Sequence, residues 1–286
     1  MQYSADKRKE YKNMKKLLSA LMAVFCLTAF AGCSSAPAAE APNTSASDES
    51  LNKVLESKKF VLGLDATFVP MGYTDENDEI VGFDIDVAAE VCSRLGVELV
   101  KEPINWETKE SDLNIGKIDC IWNGLSVSPA RAEAMNLSEA YMKNDMIFTV
   151  MNDGTYSASA DLEGKVVAVQ NGSTAQEILE GSDIGAKVTI TAIATNVEAL
   201  QQLELGLVDA VFLDSVVANY LITTTGKNYT ILPDAVGEQE EYAIGFRKND
   251  CALRDKVQSI LSEMKADGKL AEISTKWFGS DITTVK

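Results

Sequence analysis

The sequence has no histidine among its 286 residues. This absence excludes Ser-His-Asp and Cys-His catalysis. It also excludes the common metal sites that combine cysteine with histidine. We therefore expect neither a metal ion nor another cofactor.

Basic residues are also scarce. The chain carries 26 lysines and arginines against 43 acidic residues, for a formal net charge of −17. Nucleic acids and anionic membrane surfaces attract proteins with a basic face, so neither is expected as a partner. The body of the chain holds an odd number of cysteines, Cys92, Cys120 and Cys251, which argues against a disulfide framework.

Long hydrophobic runs are few, and the one at residues 17–30 is too short for a comfortable transmembrane helix. Lysines and arginines precede this run and small residues follow it, as in a secretory signal peptide. We predict a signal peptide over residues 1–32, with Met14 as an alternative start. Residues 33–50 are rich in serine, alanine and proline, which predicts a flexible tether.

Residues 30–33, Phe-Ala-Gly-Cys, resemble the Leu-Ala-Gly-Cys lipobox of bacterial lipoproteins, with phenylalanine in place of leucine. The resemblance implies cleavage before Cys33 and a lipid on its sulfur. Such an anchor would hold the protein at the extracytoplasmic face of the cell membrane. An ordinary secreted protein with a chance cysteine is the alternative.

From residue 51 onward, strand and helix patterns alternate. Residues 60–65 have the pattern of a strand, and residues 85–96 have apolar positions at helical spacing with Gly96 as the stop. A second strand pattern follows at once. This alternation predicts an α/β fold with a mainly parallel sheet.

A weak internal repeat aligns residues 113–124 with residues 203–214 without a gap. In each copy a helix ends at a glycine and an apolar strand follows. The alignment makes Gly124 and Asp214 equivalent, both near the carboxyl ends of strands. Open α/β sheets bind ligands at that edge.

Two segments have the pattern of an anion site. Ser128 and Pro129 predict a helix start, which places Arg131 in the first turn, where it opposes the helix dipole unless an anion lies nearby. Ser173 and Thr174 begin another helix, whose free N–H groups suit a carboxylate. A solvated arginine and a well-capped helix are the plainer interpretations.

Acidic and aromatic residues complete the pattern. Asp65 and Asp214 each end a predicted strand and suit an ammonium group, although Asp214 could simply cap a helix. Phe68, Tyr73 and Trp106 either belong to the core or wall an apolar slot. An arginine and a helix N-terminus opposite an aspartate are the complement of an α-amino acid zwitterion.

The body of the chain resembles the polar amino-acid-binding proteins of ABC importers. These are the bacterial extracellular solute-binding proteins of family 3, with the periplasmic-binding-protein-like type II fold. The resemblance rests on residues 62–91, 116–131, 138–145, 162–174, 199–215, 242–250 and 265–279. The segments occur in family order over nearly the whole body of the chain.

The resemblance implies roles for the residues around an amino acid's head group. Arg131 would clamp the α-carboxylate, together with backbone N–H groups of Ser126 and Thr174. Asp214, the Gly124 carbonyl and the Ser126 hydroxyl would hold the α-ammonium.

The resemblance also implies how the side chain is held. Phe68 and Trp106 would sandwich it, and Asp65 would reach its distal polar end. The chain has Trp122 and Asn123 where many relatives have small residues, and Gln170 where some glutamine binders carry lysine. Both departures touch the side-chain pocket. The identity of the amino acid therefore stays open, with basic or amide side chains favoured and dicarboxylic acids repelled by Asp65.

The implied fold has two lobes with the ligand cleft between them. Lobe 1 would combine residues 51–144 with 242–286, and lobe 2 would span residues 145–241. Segments 142–146 and 240–243 would form the hinge. The implied partners are ABC permease subunits, which a monomeric closed form would dock on to deliver its amino acid.

Two other functions remain open from the sequence. One is a cyclohexadienyl dehydratase-like lyase on the same fold, which the lack of histidine and the amino-acid-type motifs disfavour. The other is a non-transport sensor or adhesin, for which the tether would also be suitable.

Overall fold

The structure is a computed structural model that describes residues 48–234 and 236–286. The predicted signal peptide, Cys33 and nearly all of the predicted tether lie outside these residues. In the described residues, no helix combines the length and the apolar character needed to cross a membrane.

The elements alternate along the chain as expected for an α/β protein. The helices are α1 (Ser50–Ser57), α2 (Phe83–Leu95), α3 (Lys109–Asn114), α4 (Pro129–Ala134), α5 (Thr174–Gly181), α6 (Asn196–Glu204), α7 (Ser215–Thr223), α8 (Cys251–Ala266) and α9 (Lys269–Phe278). The strands are β1 (Lys59–Leu64), β2 (Thr67–Phe68), β3 (Gly72–Thr74), β4 (Ile80–Val81), β5 (Glu98–Pro103), β6 (Cys120–Ser126), β7 (Asn136–Leu137), β8 (Met142–Asn144), β9 (Met146–Met151), β10 (Val166–Gln170), β11 (Thr189–Ile193), β12 (Ala210–Asp214), β13 (Tyr229–Ile231) and β14 (Glu240–Phe246).

The first sheet has the strand order β5-β1-β6-β14-β7, and β8 also pairs with β14. Strand β1 runs parallel to β5 and β6, whereas β14 is antiparallel to β6. Helices α2 and α8 pack against this sheet and contribute buried apolar residues such as Val91, Leu253 and Val257.

The second sheet has the strand order β11-β10-β12-β9-β13. Strand β10 runs parallel to β11 and β12, and β9 is antiparallel to β12. Strands β10 and β12 are almost wholly buried, as expected for parallel strands covered on both faces. The mixed sheets confirm the predicted α/β fold class, but the expectation of mainly parallel sheets is wrong. Among the described residues, the first sheet has two parallel and three antiparallel strand pairs, and the second has two of each.

The internal repeat is confirmed by equivalent hydrogen bonds in the two sheets. Asp119 donates its N–H to the Val61 carbonyl and accepts the Val61 N–H at Oδ2. Asp209 forms the same pair of bonds with Val166. Each aspartate therefore fixes the register of a parallel strand pair at the same place in the two units.

The chain passes between the two sheets at two places. Strand β8 of the first sheet and β9 of the second are separated only by Asp145. The return runs from β13 to β14. At the first crossing, the Ser215 N–H bonds the Asp145 carbonyl at 2.9 Å.

The cysteines in the described residues are free. Cys92 on α2 and Cys120 on β6 are buried, and Cys251 at the start of α8 is exposed. Burial raises the pKa of the Cys92 thiol to about 12. Burial of Cys92 and Cys120 as free thiols is typical of structural cysteines.

Candidate functional site

A small cavity lies between the carboxyl ends of strands from both sheets. It is lined by all eight residues that the sequence analysis singled out as ligand-binding, together with Asn123, Gln170 and Ser173. The predicted residues are Asp65, Phe68, Trp106, Gly124, Ser126, Arg131, Thr174 and Asp214.

Arg131 is held in the first turn of α4. The Ser128 hydroxyl caps this helix by accepting the Arg131 N–H, and Pro129 occupies the first turn, as the sequence predicts. The guanidinium is 4% exposed and donates from Nη1 to the Ser126 carbonyl at 2.8 Å. Burial lowers the pKa of this group, so an anion that entered the cavity would relieve the cost of its charge.

Asp214 ends β12, but its side chain does not cap the helix that follows. Oδ1 instead accepts from the Tyr242 hydroxyl at 2.6 Å and from Asn144 Nδ2 at 2.8 Å. Burial raises the pKa of this carboxyl to about 7, while the bond from Tyr242 acts in the opposite direction. Asp214 thus occupies the N-cap position of α7 without capping it through its side chain, and the carboxyl lies beside the cavity.

Gly124 lies in an irregular part of β6. Leu125 pairs with Ala243 and Ile121 with Gly245, so three residues of β6 face one residue of β14. The Gly124 N–H donates to Oδ2 of the buried Asp84 at 2.8 Å. The φ angle of Gly124 is +59°, which requires the conformational freedom of glycine. Bulges of this kind are common next to binding sites.

Thr174 begins helix α5 after the loop that follows β10. The Ser173 hydroxyl caps the helix by accepting the Gln176 N–H at 3.2 Å. Gln176 Oε1 accepts the N–H of Gly172 rather than that of Ser173, so the return bond of a capping box is displaced by one residue. The first turn of α5 thus faces the cavity at Thr174.

The far end of the cavity is polar. Asp65 Oδ1 accepts from the N–H and the hydroxyl of Thr67, and Oδ2 accepts from Gln170 Nε2 at 2.6 Å. Asn123 accepts the Asp65 N–H at Oδ1, and its buried Nδ2 has no partner in the described part of the chain. This end therefore presents a carboxylate beside amide donors.

Two of the three candidate aromatic residues line the cavity. Phe68 and Trp106 are buried there, and Lys109 Nζ lies 5.3 Å from the centre of the Trp106 ring. Tyr73 does not line it, because its hydroxyl meets that of Tyr220 at 3.2 Å. The interpretation of Tyr73 as part of the slot is wrong.

The cavity volume is about 10 Å³, which is room for one water molecule at most. A wider groove of about 560 Å³ opens beside it and shares Thr174 with it. An amino acid can enter the inner cavity only if the side chains around it separate.

Several residues of the site were not proposed from the sequence. Asp84, Asn144, Glu240 and Tyr242 are buried and bonded to cavity residues. Glu240 and Tyr242 lie inside the predicted hinge segment 240–243, which was the one signal that pointed to them. In the described residues, no cluster of Cys, Asp and Glu could hold a metal ion.

Comparison with known proteins agrees with this geometry. Residues 60–280 match the family described as bacterial extracellular solute-binding proteins, family 3. The L-cystine-binding protein TcyJ of Escherichia coli is 29% identical over 266 residues, which cover 92% of this chain and 96% of that protein.

Solved structures of amino-acid-binding proteins are similar as well. Tv2483 bound to L-arginine superposes with a TM-score of 0.79 at 32% identity, covering 83% of this chain and 98% of that one. An ABC uptake transporter substrate-binding protein from Streptococcus pneumoniae with bound histidine gives 0.76 at 35% identity, covering 83% and 99%. The ancestral amino acid-binding protein AncCDT-1, a precursor of cyclohexadienyl dehydratase, gives 0.74 at 29% identity, covering 80% and 99%.

The relatives are named for binding amino acids, and the solved structures carry the two-lobed fold. The match spans most of this chain, and the cavity combines a buried arginine with a buried aspartate. The chain belongs to the bacterial extracellular solute-binding proteins of family 3.

Proposed function

We propose that the protein captures a polar L-amino acid in the cavity between its two lobes and delivers it to an ABC importer. The observation that carries the proposal is the presence of Arg131 and Asp214, both buried, on the same cavity. A zwitterion supplies the anion that Arg131 lacks and the cation that Asp214 lacks. A guanidinium can hold a carboxylate through two parallel hydrogen bonds.

The head group would be held as the resemblance implies. Arg131 and the N–H groups of Ser126 and Thr174 bind the carboxylate. Asp214, the Gly124 carbonyl and the Ser126 hydroxyl bind the ammonium. Charge-assisted hydrogen bonds of this kind contribute about 1.5–3 kcal/mol each.

The distal end of the cavity favours a basic or amide side chain. Asp65 already accepts an N–H from Gln170, so a guanidinium, ammonium or carboxamide on the ligand can take the same position. A carboxylate on the ligand's side chain would be repelled by Asp65. The walls of Phe68 and Trp106 suit the aliphatic stem of such a side chain.

Entry of the amino acid would require the lobes to separate. Lobe 1 is proposed as residues 51–144 with 242–286 and lobe 2 as residues 145–241, joined through segments 142–146 and 240–243. Closure around the amino acid would then produce the form that docks on a permease. Lipid on Cys33 would keep the protein at the extracytoplasmic face of the membrane.

Thermal unfolding of the purified protein with each of the twenty amino acids and L-cystine tests the proposal. An amino acid present at 100 times its dissociation constant adds about 2.7 kcal/mol to the free energy of unfolding. We expect one polar amino acid to raise the melting temperature, and we expect Arg131→Ala to abolish the rise.

A screen without any stabilising amino acid would contradict the proposal. Turnover of prephenate by the same preparation would then support the dehydratase-like alternative.

A further inference from the structure

Glu240 is a buried carboxylate that the proposed head-group contacts do not include. It is the first residue of β14, and its side chain is 9% exposed. The Ser126 hydroxyl donates to Glu240 Oε2 at 3.1 Å. Glu240 therefore contacts a residue that lines the cavity without being part of the cavity wall.

The contact fixes the orientation of the Ser126 hydroxyl. An ionised carboxylate has acceptor atoms only, whereas a hydroxyl has one proton to donate and two lone pairs to accept with. With its proton directed at Glu240, Ser126 Oγ meets the cavity as an acceptor. An ammonium group, which has donors only, is the complement of such an oxygen.

Asn144 holds the Glu240 carboxylate in place. Its Oδ1 accepts from the Ser215 hydroxyl at 3.3 Å, which turns its Nδ2 toward the acidic residues. Nδ2 donates to Asp214 at 2.8 Å and to Glu240 Oε2 at 3.4 Å. One amide thus bridges the two carboxyl groups that stand on the ammonium side of the cavity.

The groups around Glu240 act on its pKa in opposite directions. Burial raises the pKa of Glu240, and the hydroxyls of Thr174 and Ser126, the Arg131 charge and Asn144 lower it. These groups belong to β6, β8 and the first turns of α4 and α5, which surround the carboxylate. Oε2 accepts hydrogen bonds from both the Ser126 hydroxyl and Asn144 Nδ2, so this oxygen is an acceptor in the structure.

We infer that Glu240 is a positioning residue for the ammonium of the bound amino acid. It acts by accepting the hydrogen bond that the Ser126 hydroxyl donates. The inference rests on the proposed function, since it concerns the same site. It predicts a strict preference for ligands with a free α-ammonium. An α-hydroxy acid cannot supply the donors that Asp214, the Gly124 carbonyl and Ser126 Oγ all require.

A double-mutant cycle between Glu240 and Ser126 tests the inference. The variants are Glu240→Gln, Ser126→Ala and the double variant. The matched control is Glu98→Gln, which removes the same charge from the exposed first residue of β5, outside the cavity and the proposed hinge. Dissociation constants are measured by calorimetry for L-arginine, L-glutamine and L-cystine, using whichever binds the wild type, and for its α-hydroxy analogue.

Glu240→Gln is expected to weaken binding of the amino acid about tenfold or more, because its amide can direct a donor at Ser126 Oγ and turn the hydroxyl proton toward the ammonium. Ser126→Ala weakens binding as well, and the double variant is no weaker than Ser126→Ala alone. The preference for the amino acid over its α-hydroxy analogue shrinks in Glu240→Gln and is unchanged in Glu98→Gln.

Two results would overturn the inference. One is a loss of binding free energy in the double variant that equals the sum of the losses in the single variants. The other is a Glu240→Gln variant that binds like the wild type. If Glu240→Gln does not fold, the same cycle is run with Glu240→Asp, which keeps the charge but draws it back from Ser126. A wild type that binds none of the probes would instead contradict the proposed function.

Discussion

Asp214 is a buried carboxyl group whose protonation bears directly on binding. Burial raises its pKa from the ordinary value of 3.8 to about 7, and Glu240 adds to the rise, while the bond from Tyr242 and the Arg131 charge oppose it. Between these two pH values the folded protein holds a proton that the unfolded chain releases. The contribution of Asp214 to the free energy of unfolding of the ligand-free protein is therefore largest below pH 4. It is lost as the pH rises to about 7.

Binding should have the opposite pH dependence. An ammonium needs the ionised form of Asp214, so bound amino acid displaces a proton below pH 7. We expect the affinity to tighten as the pH rises from 5 to 7 and to level off above. Calorimetry in two buffers of different ionisation enthalpy measures the proton released.

Asp214→Asn is the control for the stability profile of the ligand-free protein. The melting temperature of this variant should decrease less between pH 4 and pH 7 than that of the wild type. Asp84, whose pKa burial also raises to about 7, accounts for part of what remains. An affinity that improves toward acid pH would contradict this assignment.

Asn123 lines the distal end of the cavity, where the side chain of a bound amino acid would lie. Its Oδ1 accepts the Asp65 N–H at 3.1 Å, and its Nδ2 is buried without a partner in the described residues. An amide side chain can offer this donor an acceptor, whereas a guanidinium or ammonium cannot.

The substitution Asn123→Asp keeps the acceptor for Asp65 and replaces the free donor by a second acceptor. We expect the ratio of affinities to move about tenfold toward L-arginine and away from L-glutamine. Competition binding with both amino acids measures this ratio. An unchanged ratio would mean that Asn123 Nδ2 does not face the ligand.

At the scale of elements, the bulge in β6 carries Gly124 to the cavity. Asp84, in the first turn of α2, accepts the Gly124 N–H and also the Tyr141 hydroxyl at 3.0 Å. The strand thus leaves the regular ladder with β14 at the point where the cavity begins. The Gly124 N–H instead bonds to a side chain of α2, which packs against the sheet.

Gly124→Ala tests the bulge. A Cβ at this position would lie 2.7 Å from Cε1 of Phe68, and φ is +59°. We expect a loss of about 1–2 kcal/mol in the free energy of unfolding from the left-handed backbone alone, and a further loss from displacement of the Phe68 ring. Binding should fall with it.

Gly116→Ala is the matched control, because φ there is +79° and a Cβ would meet nothing within 4 Å. Urea unfolding of both variants separates the backbone cost from the steric cost. Equal losses would show that the ring of Phe68 moves aside freely.

At the scale of the whole molecule, hydrogen bonds join the part of the chain around the first sheet to the part around the second. Gln170 reaches Asp65, and Tyr220 meets Tyr73. Lys109 Nζ donates to the Gly172 carbonyl at 3.0 Å. Any separation of the proposed lobes has to break these bonds.

Lys109→Met should therefore weaken the closed form. Burial lowers the pKa of this lysine to about 8, and the nearby Arg131 acts in the same direction. Its ammonium donates to the Gly172 and Trp106 carbonyls and lies 3.8 Å from Glu110 Oε1. We expect the bound amino acid to dissociate about tenfold faster or more, since the lost charged bond to Gly172 is worth roughly 1.5–3 kcal/mol.

Lys117→Met is the comparison, because Lys117 is half-exposed and pairs only with acidic residues of the first sheet's unit. Stopped-flow measurement of dissociation distinguishes the two variants. Equal rates would mean that Lys109 does not hold the closed form.

The sequence determined most of the local structure of this protein. Capping by Ser128 and Ser173, the helix stop at Gly96 and the repeated turn before β6 and β12 all depend on neighbouring residues, so the pattern of residue types was enough to predict them. The pairing of an arginine with an opposing aspartate could be inferred because strand ends meet at one edge of an α/β sheet.

Only the tertiary structure decided which partners the buried polar groups choose. Tyr242 and Asn144 hold Asp214, Gln170 holds Asp65, and Asp84 holds Gly124, all over sequence separations of at least 28 residues. Such contacts leave no periodicity in the sequence. Their physical reason is that a buried polar group must find a hydrogen-bond partner wherever packing brings one near.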